Sequence, residues 1–218
     1  MSASRDLSTD ELLSTTRSVR RRLDFDRKVP RELVRECLSL AFQAPRAFNL
    51  SLSRFLVVED EERRKALAEL YRKGFEIYRD LPFAAGNLAT GDRVHDKTQR
   101  RVASSTEYLA ENLHRAPVMV VPCLTGWPEE SPSRPGVASA MGSLLPAAWS
   151  FCLAARSRSL GTAWTTLHLF FEQEAADILD ISYDTTWQVA LIPVAYTRGG
   201  AFKPAAREPL DSIVTFYD

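Results

Sequence analysis

Histidine and cysteine are scarce in this chain, and neither sign of charge is in excess. Its 218 residues include three histidines and three cysteines, and 28 lysines and arginines balance 28 aspartates and glutamates. That neutral balance does not favour a nucleic-acid binder, which carries a basic excess or a basic face. Cys37, Cys123 and Cys152 are odd in number, far apart and without a CxxC pair, which argues against a zinc site or a dithiol motif. Each lies in an apolar run, as a small buried thiol in a reducing compartment would. His95, His114 and His168 are also far apart and form no HExxH, so no metal is expected. His114 and His168 read as structural imidazoles with satisfied ring nitrogens. There is no GxGxxG after a strand, no GxxxxGK[ST] and no GxSxG. Residues 1–13 lack an apolar signal core, and no uninterrupted apolar run approaches the roughly 18 residues of a membrane span. The expected location is cytoplasmic, with no membrane partner.

A composition of 45% hydrophobic and 26% charged residues is that of a folded protein. The length suits one large domain or two small ones. No Pro/Gly/Ser linker or internal repeat divides it, so residues 1–218 read as one domain with surface loops at about 81–91 and 127–136. Ser8-Thr9-Asp10-Glu11 predicts a helix N-cap and a short helix reaching Thr16. Pro30 at a first helical position opens a helix over 31–44, closed by Pro45. Further helices are expected at 60–78, 93–114, 137–158 and 172–179, with Leu67, Leu70, Tyr71 and Ile77 buried in the first of these four. The 137–158 helix is apolar nearly all round and should be central or at a subunit contact. Strands are expected at 54–58, 117–124, 163–166 and 187–196. Helices interspersed with strands but without a βαβ repeat give an α+β fold.

Chemistry is suggested by short segments. Arg17-Ser18-Val19-Arg20 places two guanidiniums and a hydroxyl within four residues, suited to a phosphate or an electron-rich ring edge. Ala44-Pro45-Arg46-Ala47-Phe48-Asn49 is a proline-marked loop before an apolar strand, able to offer backbone and amide groups to a flat heterocycle. Their order resembles the opening of the nitroreductase family. The resemblance extends through Tyr108–Pro117, through Ser159-Leu160-Gly161-Thr162-Ala163-Trp164, and to Lys203-Pro204-Ala205-Ala206-Arg207-Glu208-Pro209-Leu210, over about Ser14 to Val214. The wording Thr-Arg-Ser-Val-Arg-x-Arg-Leu-Asp-Phe-Asp looks most similar to actinobacterial members.

That resemblance implies a nitroreductase-like fold, with a central, mostly antiparallel sheet flanked by helices in an intertwined homodimer. It implies FMN as cofactor and NADPH or NADH as reductant. Flavin N5 takes the hydride and an electron-poor small molecule, such as a nitroaromatic, quinone or activated alkene, takes it in turn by a ping-pong scheme. By the same match the cofactor contacts are Arg17, Ser18, Val19, Arg20, Pro45, Arg46, Ala47, Asn49, Thr166, Leu167, Lys203 and Arg207. Arg20 would serve the N1/O2 edge, and Thr166 and Leu167 would face N5. Phe48 and Leu144 would meet the substrate, and no side chain is nominated as an acid or base. Arg46, Phe48 and Ser53 favour a second reading, a flavin-binding or flavin-sequestering protein with little turnover. Thr16 and Ala205 favour a third, a binding module without flavin.

Overall fold

The computed structural model describes residues 7–47, 52–126, 133–199 and 201–217. Its organising element is the strand β3 (Val118–Thr125), almost wholly buried. β3 pairs antiparallel with β2 (Ser53–Val58) on one side, and with β5 (Thr186–Gln188) and β6 (Ile192–Thr197) on the other. β6 also carries β1 (Leu23–Asp24) and β4 (Leu160–Thr162), so six short strands form one antiparallel sheet.

Side chains alternate across β3 with period two. Met119, Val121 and Cys123 enter one core with Leu67, Tyr71, Phe75 and Leu109. These come from α3 (Glu61–Arg79) and α4 (Arg93–Asn112). Val118 and Val120 enter the opposite core with Val34, Cys37, Phe151, Cys152 and Ala155. Those come from α2 (Arg31–Ala41) and α5 (Arg134–Ser157). Both faces being covered explains why β3 is a continuous apolar run rather than an alternating one. α6 (Glu172–Leu179) closes the α3 side through Ala175 and Leu179. At the start of the described chain, α1 (Thr9–Thr15) has a full capping box, with Glu11 N–H donating to Ser8 Oγ and Ser8 N–H donating to Glu11.

The α+β class and the antiparallel sheet with flanking helices agree with expectation, and several local boundaries do not. Pro30 is the N-cap of α2, not its first helical residue, and α2 stops at Ala41. Ile77 is 42% exposed while Leu67, Leu70 and Tyr71 are buried. The 127–136 loop is shorter than expected at its end, because Ser133 Oγ accepts the Gly136 N–H and α5 begins at Arg134; residues 127–132 lie outside the described chain. α5 is also long and apolar enough by composition to cross a membrane, although Ser139, Ser143 and Ser150 interrupt its apolar run. Here it is a core helix, burying Leu144, Ala148, Phe151, Cys152 and Ala155 against its own chain.

The expected strand at 187–196 is two strands. From Gln188 to Ile192 the chain advances four residues while its partner advances three, from Cys123 to Val120. One extra residue is a β-bulge, and it lies opposite Val121 and Pro122. The interruption turns Leu191 away from β3, and it exchanges both backbone hydrogen bonds with Thr165, at 2.8 and 3.2 Å. Residues 163–166, expected to be a strand, are therefore a connection held by a single bridge, and the regular strand is β4 just before them.

The connection leads into a 3₁₀ turn, Leu167–Phe171, pressed onto α3. Gly74 makes that contact possible: a Cβ there would lie 2.0 Å from the Leu167 carbonyl oxygen. Backbone is the obstacle, so no rotamer relieves it. Gly74→Ala is expected to destabilise the fold by about 1–3 kcal/mol, read as a lower urea midpoint. A midpoint equal to that of the wild type would show that the 3₁₀ turn is not seated on α3.

Candidate functional site

The segment Arg17–Arg20 runs beside β4. Val19 N–H donates to Thr162 O at 2.8 Å, and Ser18 forms a parallel bridge with Thr162. Gly161 allows the approach, because a Cβ there would meet Thr197 Cγ2 at 2.7 Å, Leu23 Cδ2 at 3.0 Å and Val19 Cβ at 3.1 Å. Val19 is thus a core peg, and its N–H is already used. It holds the segment in place, while Arg17 and Ser18, which precede it, are exposed.

Arg20 is half-buried. One terminal nitrogen donates to Ser105 Oγ at 3.4 Å, and buried Nε has no partner among the described residues. Burial lowers its pKa below the ordinary guanidinium value; Tyr71 and Tyr78 act against that shift, and Arg17 adds to it. The Tyr71 phenol is pushed up to about 12, mainly by burial. A cation with a buried, unanswered donor is costly unless an electron-rich group meets it.

Pro45 and Arg46 are exposed, and Ala47 is fixed by its N–H donating to Ser143 Oγ of α5 at 2.9 Å. Ser143 Oγ in turn donates to Ser139 O. Phe48 and Asn49 lie outside the described residues. Thr166 is exposed, at the end of the connection that Leu191 anchors, and Leu167 is half-buried against the α3 core. Leu144 is not open to a ligand within this chain. It is fully buried with Leu124 and Ala140, beside Leu52, Phe55 and Trp187. Its neighbours Gly142 and Leu145 are the exposed positions of that turn.

Lys203 and Arg207 lie on an exposed tail. Among the described residues, Arg207 donates to the carbonyl of the adjacent Ala206. The tail leaves the body at Phe202, whose ring is held between two guanidiniums, with Arg22 at 4.1 Å and Arg156 at 4.7 Å from its centroid. Arg22 also donates to Arg198 O and Ala201 O. The structure therefore brings together the 17–20 segment, the 163–167 connection that follows β4, and the root of the tail. It does not bring Arg207 into contact with Arg20.

Ser105, Tyr71 and Tyr78, the surroundings of Arg20, were not legible from sequence, since they come from helices remote in the chain. His168 differs from the satisfied imidazole that the sequence suggests. It is fully buried, but neither ring nitrogen has a partner among the described residues. Burial pushes its pKa down to about 4. The three cysteines are buried free thiols, with pKa values raised to about 11, 12 and 11 by burial for Cys37, Cys123 and Cys152, so none is a ready nucleophile. No group of metal-ligating side chains occurs among the described residues.

A family model described as the nitroreductase family matches residues 13–196. The chain belongs to the nitroreductase family. Solved structures share the fold at low identity. An FMN- and NADPH-dependent nitroreductase, NfnB, from Sphigopyxis sp. strain HMH matches with TM-score 0.67 and 19% identity, over 97% of this chain and 100% of that one. An iodotyrosine deiodinase bound to FMN and 3-iodo-L-tyrosine matches with TM-score 0.68 and 19% identity, over 96% and 98%. A nitroreductase-like protein from Bacillus cereus matches with TM-score 0.66 and 17% identity, over 97% of each. No curated protein matches by sequence.

The depressed His168 pKa has a signed consequence. The folded state binds the neutral imidazole, so the stabilisation is full above the unfolded value of roughly 6.5 and is lost as pH falls toward about 4. The loss amounts to roughly 3 kcal/mol. His168→Leu is expected to flatten unfolding free energy against pH in that window, as read by urea titration at several pH values. A slope identical to the wild type would mean that the imidazole is solvated.

Proposed function

We propose that this chain is an FMN-dependent oxidoreductase that takes hydride from NAD(P)H and delivers it to an electron-poor small molecule by a ping-pong scheme. The observation that carries the reading is the buried, unpartnered Nε of Arg20, fixed beside β4 within a segment that also presents Arg17 and Ser18. Such a donor suits the N1/O2 edge of an isoalloxazine ring, where negative charge accumulates on reduction. FMN, when bound, supplies the hydride-accepting and hydride-donating chemistry.

The chain's own residues do the rest. Arg17, Ser18, Lys203 and Arg207 would bind the phosphate and ribityl chain, Arg17 and Arg207 as charge-assisted forks. Pro45, Arg46 and Ala47 would line the pyrimidine side, with Ala47 set by Ser143. Phe48 and Asn49, next in sequence, would complete that side. Thr166 and Leu167 would present backbone groups toward N5, held there by the Thr165–Leu191 bridge and the Gly74 contact. No side chain is assigned as a general acid; solvent meets that need at an exposed Thr166.

The site is completed in a homodimer on this reading. α5 exposes a stripe of Ala138, Gly142, Leu145 and Trp149, spaced to share one face. The tail exposes Leu210, Ile213, Phe216 and Tyr217, the last two at 83% and 94%. A second copy would cover both surfaces. Buried free thiols suit a reducing compartment, consistent with a cytoplasmic protein.

Purified protein is expected to be yellow, to bleach with NAD(P)H under nitrogen, and to recover its colour with a quinone. Arg20→Ala is expected to weaken FMN binding by roughly 1.5–3 kcal/mol, the range for a hydrogen bond to a charged group, measured by flavin fluorescence titration. Colourless protein with no affinity for FMN would overturn the reading. Yellow protein that NAD(P)H does not bleach would select the flavin-sequestering alternative.

A further inference from the structure

α4 carries basic residues that the preceding reading leaves unused. Arg93, Lys97 and Arg100 are spaced four and three residues apart, so they share one face of the helix, and Ser104 continues that line. Arg101 flanks it. All four cations are exposed, and none forms an ion pair among the described residues. The neighbouring helix behaves differently: on α3, Lys65, Arg72 and Arg79 each pair with a glutamate three or four residues away. The nearest acid on the α4 face, Asp96, is engaged elsewhere. Its carboxylate accepts from Thr90 N–H and Thr90 Oγ, which holds its pKa low, with Arg100 contributing least. Glu107 lies beyond Ser104, at the far end.

The line also has a direction. Arg21 donates to Ser104 O at 2.9 Å and Ser104 Oγ at 2.8 Å, and lies 4.9 Å from the Tyr108 ring one turn further on. Ser105 next to it holds Arg20. Four cations, Arg93, Lys97, Arg100 and Arg21, thus form a track of about 16 Å along the helix axis that ends at the residue assigned to the ring edge. Arg93, Val94, Asp96, Lys97 and Arg100 border an open groove of about 510 Å³.

We infer that this face of α4 binds the 2′-phosphate of NADPH and so makes NADPH, rather than NADH, the hydride source. The inference rests on the oxidoreductase reading for its choice of ligand. The two nicotinamide dinucleotides differ only in that phosphomonoester, which carries close to two negative charges at neutral pH. Unpaired guanidinium and ammonium groups on one face are suited to recognise it. A track leading from that face to Arg20 lets one molecule reach both.

The test uses adenosine 2′,5′-bisphosphate and 5′-AMP as probes, titrated calorimetrically into the full chain. Neither probe requires flavin, so the measurement decides the assignment even if FMN fails to bind. Wild type is expected to bind the bisphosphate at least tenfold more tightly than AMP. Lys97→Glu combined with Arg100→Glu, and separately Arg93→Glu, are expected to remove most of that difference at an unchanged melting temperature. With flavin bound, the same variants are expected to lose the preference for NADPH over NADH in anaerobic bleaching. Equal binding of the two probes by the wild type, or a preference that survives the charge reversals, would overturn the assignment. Equal bleaching by NADH and NADPH would overturn it too while leaving the oxidoreductase reading intact, whereas absence of any flavin affinity defeats that reading, and with it NADPH as hydride source, while the probe titration still decides whether α4 binds the 2′-phosphate.

Discussion

The contact on which the site depends is the one between Val19 and β4. A single backbone hydrogen bond to Thr162, and a glycine at 161 that leaves room for the Val19 side chain, fix four residues against the sheet. A side chain at 161 would push that segment outward, and both guanidiniums would lose their positions. The valine is what makes the arginines useful: with its side chain committed to the core, Arg17 remains in solvent and Arg20 is drawn half inside. Burial of Arg20 without a partner for Nε has a cost.

The other wall is built by irregularity rather than by regular pairing. The bulge opposite Pro122 releases Leu191 from the sheet, and Leu191 then holds Thr165. Two residues later, Gly74 admits the Leu167 carbonyl against α3. Bulges and close glycine approaches commonly re-aim backbone next to functional sites. In this chain they set the direction of the connection that follows β4, so the sheet's central strand and the helix behind it jointly position groups that carry no distinctive side chains.

Much of the architecture could be read from the residues. The six helices and the buried strand at β3 follow from three-to-four spacing and from an apolar run flanked by breakers. The Arg17–Arg20 segment was visible because charge and hydroxyl groups cluster there. The family assignment rests on those segments in order and agrees with the match over residues 13–196. What escaped was non-local. Whether Leu144 faces a ligand or a core depends on Leu124 and Phe55, far away in sequence. The division of residues 187–196 into two strands depends on their register against β3, where one extra residue falls opposite Val121 and Pro122. His168 looked like a partnered imidazole because a sequence shows a residue type and not its surroundings. The alternation in residues 17–20, where Val19 turns inward, also needed β4 to be seen.

The account stands on Arg20 meeting the pyrimidine edge of a flavin. A crystal structure of the protein grown with FMN tests this most directly. Planar density within hydrogen-bonding distance of Arg20 Nε, with its phosphate toward Arg17, is the predicted result. Density for FMN elsewhere, or Arg20 Nε bonded to a protein group with no ligand beside it, would contradict the account.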